Sequence, residues 1–171
     1  MSRVRLGEWV AGAGSVGLLV VAFLNWFGVD GHAAGWRAYA PLGSHAVHQS
    51  GWGSLGWPVD VLVCVAIFGG LALSYMTVKR ASPAWPIGAA VLTWAVGSLI
   101  FLVLLLRVLL QPSLGAGLPN AAVTVQLPAY LGLLFAGLIP LGGFLSLRDE
   151  RTDSAEARAY TPPPARPVPG T

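Results

Sequence analysis

Four long apolar stretches constrain this 171-residue chain more than any other feature of its sequence. The hydrocarbon core of a bilayer is about 30 Å thick, and an α-helix needs roughly 20 apolar residues to cross it. The stretches that reach this length are 9–29, 58–78, 85–110 and 126–147. Each is apolar almost without interruption, whereas the strands of a membrane β-barrel alternate over about 10 residues. The pattern predicts an all-α membrane protein, built as a bundle of four transmembrane helices.

The amino-acid composition agrees with this prediction and excludes the main soluble alternatives. Charged residues make up 10% of the chain and hydrophobic residues 55%, whereas an ordinary soluble domain is about 25% charged. A soluble domain of this size cannot hide so much apolar surface, because much of its surface must face water. The composition therefore excludes a soluble enzyme, a nucleic-acid-binding domain and a disordered chain. The lipid bilayer is the expected surrounding, and no nucleic-acid partner is expected.

The basic residues indicate the orientation of the predicted helices. Two of the ten, Arg37 and Arg107, fall on one side of the predicted membrane. The other eight fall on the opposite side: Arg3, Arg5, Lys79, Arg80, Arg148, Arg151, Arg158 and Arg166. Cytoplasmic segments carry the excess of Lys and Arg in membrane proteins. Both termini are therefore predicted to be cytoplasmic, with two loops outside.

The segments between and after the spans differ in composition. The first outer loop, 30–57, is rich in Trp and Gly and is expected to rest on the helix ends. Four tryptophans lie near the predicted interfaces between membrane and water, a position typical of an aromatic belt. They are Trp9, Trp26, Trp57 and Trp85. Residues 149–171 form a Pro-rich tail that lacks enough apolar area to offset the entropy of ordering. The chain is thus predicted to be a transmembrane domain, 1–148, followed by a disordered cytoplasmic tail.

Ionisable side chains inside a membrane span are costly and point by default to function. The two within the spans are Asp60 and Arg107, which the topology places in the same outer leaflet on adjacent antiparallel helices. An ion pair or a shared hydrogen-bond network between them is expected. Asn25 and Gln126 lie at similar depth, so the candidate polar cluster is Asn25, Asp60, Arg107 and Gln126. Such a cluster either fixes the register of the helices or binds a ligand or ion.

Small residues four apart recur in every span and let helix backbones approach closely. The rows are Ala13 and Gly17, Ala66 and Gly70, Ala89, Thr93 and Gly97, and Gly132 and Ala136. Packing within the bundle is the simpler interpretation of these rows. An exposed row used by a partner subunit is the alternative.

Motifs for catalysis and for cofactor binding are absent from the sequence. It contains no P-loop, no G-x-S-x-G, no H-E-x-x-H and no C-x-x-C. Cys64 is the single cysteine, which rules out an intramolecular disulfide. His32, His45 and His48 lie in a Gly-rich loop without a carboxylate–histidine motif, so no metal site is expected. The chain is predicted not to be an enzyme and to need no cofactor.

Several short motifs resemble those of small uncharacterised four-span membrane proteins of high-GC Gram-positive bacteria. They are Arg5-Leu6-Gly7-Glu8 before the first span, Leu24-Asn25-Trp26-Phe27 at its end, Gly51-Trp52 in the loop, and Asp60 opening the second span. The resemblance covers roughly residues 3–150. It implies a multi-pass protein of the bacterial cell (inner) membrane, but it implies no substrate.

The sequence therefore favours an integral membrane protein of unknown activity. The preferred interpretation is a non-catalytic structural or accessory subunit that contacts another membrane protein or further copies of itself. The alternative is a small-solute or ion permease that uses the outer-leaflet polar cluster.

Overall fold

The computed structural model describes residues 6–29, 48–79, 84–111 and 123–150, which are mostly helical. The rest of the first outer loop, residues 30–47, and the tail from residue 151 lie outside these ranges, whereas residues 149 and 150 belong to the last helix. In chain order, the elements are α1 (Leu6–Val21), β1 (Asn25–Gly28), β2 (His48–Ser50), α2 (Gly51–Leu55), α3 (Trp57–Lys79), α4 (Ala84–Leu110), β3 (Thr124–Val125) and α5 (Leu127–Glu150).

Three of the four predicted spans form helices long enough and apolar enough to cross a membrane. They are Trp57–Met76 in α3, Gly88–Leu110 in α4 and Leu127–Arg148 in α5. The prediction of long apolar helices is therefore confirmed for these three, and they are compatible with a helical membrane bundle. Large apolar side chains on the outer faces of these helices, such as Phe68 and Leu102, remain exposed, as a lipid-facing surface requires.

The first predicted span, 9–29, is wrong in its second half. Helix α1 has 16 residues, which cover about 24 Å, and it ends at Val21. The indole Nε1 of Trp26 turns back and donates a hydrogen bond of 2.8 Å to the Val21 carbonyl. The Leu24 N–H donates to the same carbonyl at 3.0 Å, so the indole is the second donor to a carbonyl group at the helix end. Trp26 thus closes the end of α1 where sequence reasoning continued the helix.

A small antiparallel sheet follows α1, and the sequence did not predict it. Its strand order is β2-β1-β3, so β1 lies between the other two strands. Gly28 of β1 pairs with His48 of β2 on one side and with Thr124 of β3 on the other. Strands of two to four residues are too short to show an alternating pattern. They form here because segments far apart in sequence meet at one end of the bundle, which we call the sheet end.

The four long helices form an antiparallel ring in the order α1, α3, α4, α5. Glycine brings α1 and α5 into very close contact, since a Cβ atom on Gly7 would lie 2.5 Å from the Ser146 backbone nitrogen. At Gly97 on α4, a Cβ atom would lie 3.0 Å from the Pro140 ring on α5. These contacts confirm that small residues pack the helices of the bundle. Among the small residues of the predicted rows, Ala13 is an exception, because its side chain is exposed.

The core at the sheet end is built around two aromatic side chains of β1. Trp26 is 1% exposed and Phe27 is fully buried. The predicted role of Trp26 as an interface anchor is therefore wrong: its indole fills the space beside Gly132, where a Cβ atom would meet the ring. Trp9 and Trp57 are exposed, with 67% and 78% of their surface accessible, as the aromatic belt predicted.

Candidate polar site at the sheet end

The four residues of the predicted polar cluster all lie towards the sheet end. Asn25 opens β1, Asp60 lies in the first turn of α3, Arg107 in the last turn of α4, and Gln126 between β3 and α5. The hydrogen bonds of the described residues do not join these four into one network. Each of the four side chains has a different environment.

Arg107 connects α4 to the short helix α2. Its Nη2 donates a hydrogen bond of 3.0 Å to the carbonyl oxygen of Ser54, and the Ser54 hydroxyl in turn donates to the Gly51 carbonyl at 3.0 Å. A guanidinium has five donors, and here the buried Nε of Arg107 finds no hydrogen-bond partner within the described residues. Arg107 therefore anchors α2 to the bundle and still has unused capacity to donate.

Asp60 does not form the predicted ion pair with Arg107 in the part of the chain that the structure describes. The register of the two helices gives the reason. The Thr93 hydroxyl of α4 donates to the Gly69 carbonyl of α3, which places these two residues at the same level. Counting the same number of residues from this contact along each of the two antiparallel helices brings Asp60 level with Leu102. Arg107 lies about 7 Å further along the axis, level with α2 rather than with Asp60.

One oxygen of the Asp60 carboxylate, Oδ1, is buried and has no hydrogen-bond partner among the described residues. The backbone of Asp60 is satisfied, because its N–H donates to the Gly56 carbonyl at 3.0 Å. A buried acceptor left without a donor costs about 1–3 kcal/mol. Asp60 is therefore the least compensated of the four predicted residues.

Gln126 forms a polar pair that sequence reasoning missed. Its Nε2 lies 2.9 Å from Nδ1 of His48, across the middle strand of the sheet. The two side chains meet above Gly28, where a Cβ atom would lie 2.6 Å from the amide nitrogen and 2.9 Å from the imidazole nitrogen. If the Gln126 amide donates, the imidazole Nδ1 accepts and its proton resides on Nε2. Glycine at position 28 is the one signal in the sequence for this contact.

Asn25 is separate from these contacts. It pairs with Ser50 in the sheet register, and its side chain is exposed. A second residue missed by sequence reasoning, Trp52 of α2, packs edge-on against Phe23 with 5.9 Å between the ring centroids. The indole Nε1 of Trp52 is buried without a hydrogen-bond partner among the described residues.

Metal-ligating side chains do not cluster among the described residues of the sheet end. Within residues 6–29, 48–79, 84–111 and 123–150, no group of three His, Cys, Asp or Glu side chains is placed to hold one. His32 and His45 lie outside these ranges. Side chains of the described sheet end that can form hydrogen bonds include the Arg107 guanidinium, the Asp60 carboxylate, the Asn25 and Gln126 amides and the His48 imidazole.

No protein-family model, curated protein or solved structure matches this chain. Its class therefore follows from the fold alone. Three helices of membrane-crossing length, with a shorter apolar helix packed against them, suggest a helical membrane protein. Their exposed apolar faces are compatible with contact with a lipid bilayer.

Proposed function

We propose that this chain is a non-catalytic integral membrane protein, which serves as a structural or accessory subunit for another membrane protein or for copies of itself. The observation that supports this role is how the polar side chains of the sheet end are used. Arg107 holds α2, and Gln126 holds His48 across the sheet. Both bonds join parts of the fold to each other. In a catalytic site, such groups would instead face an open cleft.

The proposal includes four membrane crossings, with α1 and β1 together making the first. At one end, Gly7 lies against Ser146. At the other, the Trp26 carbonyl accepts a 2.8 Å hydrogen bond from the Gln126 N–H. The segment from 7 to 26 therefore runs beside the whole apolar length of α5, although only part of it is helical. Four crossings place both termini on one side, and the distribution of Lys and Arg makes that side the cytoplasm.

The resemblance to small four-span proteins of high-GC Gram-positive bacteria supports a location in the bacterial cell membrane. Reporters active on only one face of the membrane test this arrangement when they are fused separately to the N-terminus, to the C-terminus and into the 30–47 loop. Both terminal fusions should report the cytoplasm and the loop fusion the outside. Opposite results from the two termini would contradict the four-span topology.

The subunit role is tested by crosslinking in intact membranes, followed by purification of the full chain in a mild detergent. We expect a defined complex of constant mass, either with another membrane protein or as a homo-oligomer. A matched sample in a harsh detergent shows whether the complex depends on native helix contacts. A chain that stays monomeric in membranes and in mild detergent would contradict the proposal.

A small-solute or ion permease is the second candidate. The buried Oδ1 of Asp60 and the buried Nε of Arg107 both lack partners among the described residues, and uncompensated polar groups in a span are typical of transport pathways. Flux through vesicles containing the purified chain tests this role. Asp60→Asn should abolish flux in a permease, whereas an accessory subunit shows no flux with either residue.

A further inference from the structure

We draw no further inference here: the strongest candidate, the groove between α1 and α3 at the end of the bundle opposite the sheet, is lined almost wholly by apolar surface, and nothing in the structure shows what covers it.

Discussion

Replacing Gly142 with alanine tests a contact at which the backbones of α5 and α1 lie very close together. A Cβ atom at this position would lie 2.5 Å from the Gly7 carbonyl oxygen and 2.7 Å from the Ala11 Cβ, and it would also clash with the Ala11 backbone nitrogen. Most of these neighbours are backbone atoms of α1, so no side-chain rotation can make room. The added methyl group must push α1 away from α5.

The matched control is Gly137→Ala in the same helix. There the nearest atom to an added Cβ is the Phe101 ring at 3.4 Å, which is close to ordinary van der Waals contact. Alanine is favoured over glycine in a helix by about 1 kcal/mol, so Gly137→Ala should be neutral or slightly stabilising. Overpacking costs about 1–3 kcal/mol, and the neighbours of Gly142 are backbone. Because both variants gain the helix propensity of alanine, that gain cancels in the comparison, and we expect the free energy of unfolding of Gly142→Ala to be about 1–3 kcal/mol lower than that of Gly137→Ala.

The assay is reversible unfolding of the purified chain in mixed micelles of increasing SDS fraction, followed by circular dichroism. Thermal unfolding in a mild detergent provides an independent ranking of the two variants. Equal stability of Gly142→Ala and Gly137→Ala would refute the reasoning, because it would mean that α1 and α5 are not held together at backbone contact distance.

Three further changes probe the sheet end by the same unfolding assay. Gly28→Ala should cost about 1 kcal/mol, because its Cβ displaces the Gln126 amide from its hydrogen bond. In a Gln126→Ala background the cost should be smaller, because only the contact with the His48 ring at 2.9 Å remains, and an unchanged cost would contradict this cause. Trp26→Phe removes the indole donor of the Val21 carbonyl, which keeps its hydrogen bond from the Leu24 N–H, and it reduces the buried ring, so we expect a loss of about 1–3 kcal/mol. Unchanged stability would contradict that account of the end of α1. Asp60→Asn should leave stability equal or higher, because one carboxylate oxygen is buried without a donor in the described residues; a clear loss would instead reveal a partner of Asp60 in 30–47 or 112–122.

The helical part of the fold was largely predictable from the sequence. Helices α3, α4 and α5 correspond to predicted spans with boundary shifts of a few residues, because the length of an apolar run is a local property. The exposed Trp9 and Trp57 were predictable for the same reason. Each prediction depended only on residue type and on position within one segment.

The candidate site was only partly predictable. The four residues were expected at a common depth, and they do lie towards the sheet end. Which groups they contact depends on helix register and on the small sheet, neither of which a single segment determines. Arg107 meets a carbonyl of α2 because α2 lies at its level, and Gln126 meets His48 because Gly28 leaves room between them.

The sequence by itself determined that this protein is suited to lipid, since its apolar runs are long enough to cross a bilayer. The distribution of basic residues along the sequence also predicts the orientation of the chain in the membrane. Only the tertiary structure decided where α1 ends, because that end depends on Trp26 folding back against Gly132 of another helix. The tertiary structure likewise decided which polar groups contact each other. The length of an apolar run is a property of one segment, whereas hydrogen bonds and backbone contacts require two segments to be placed together.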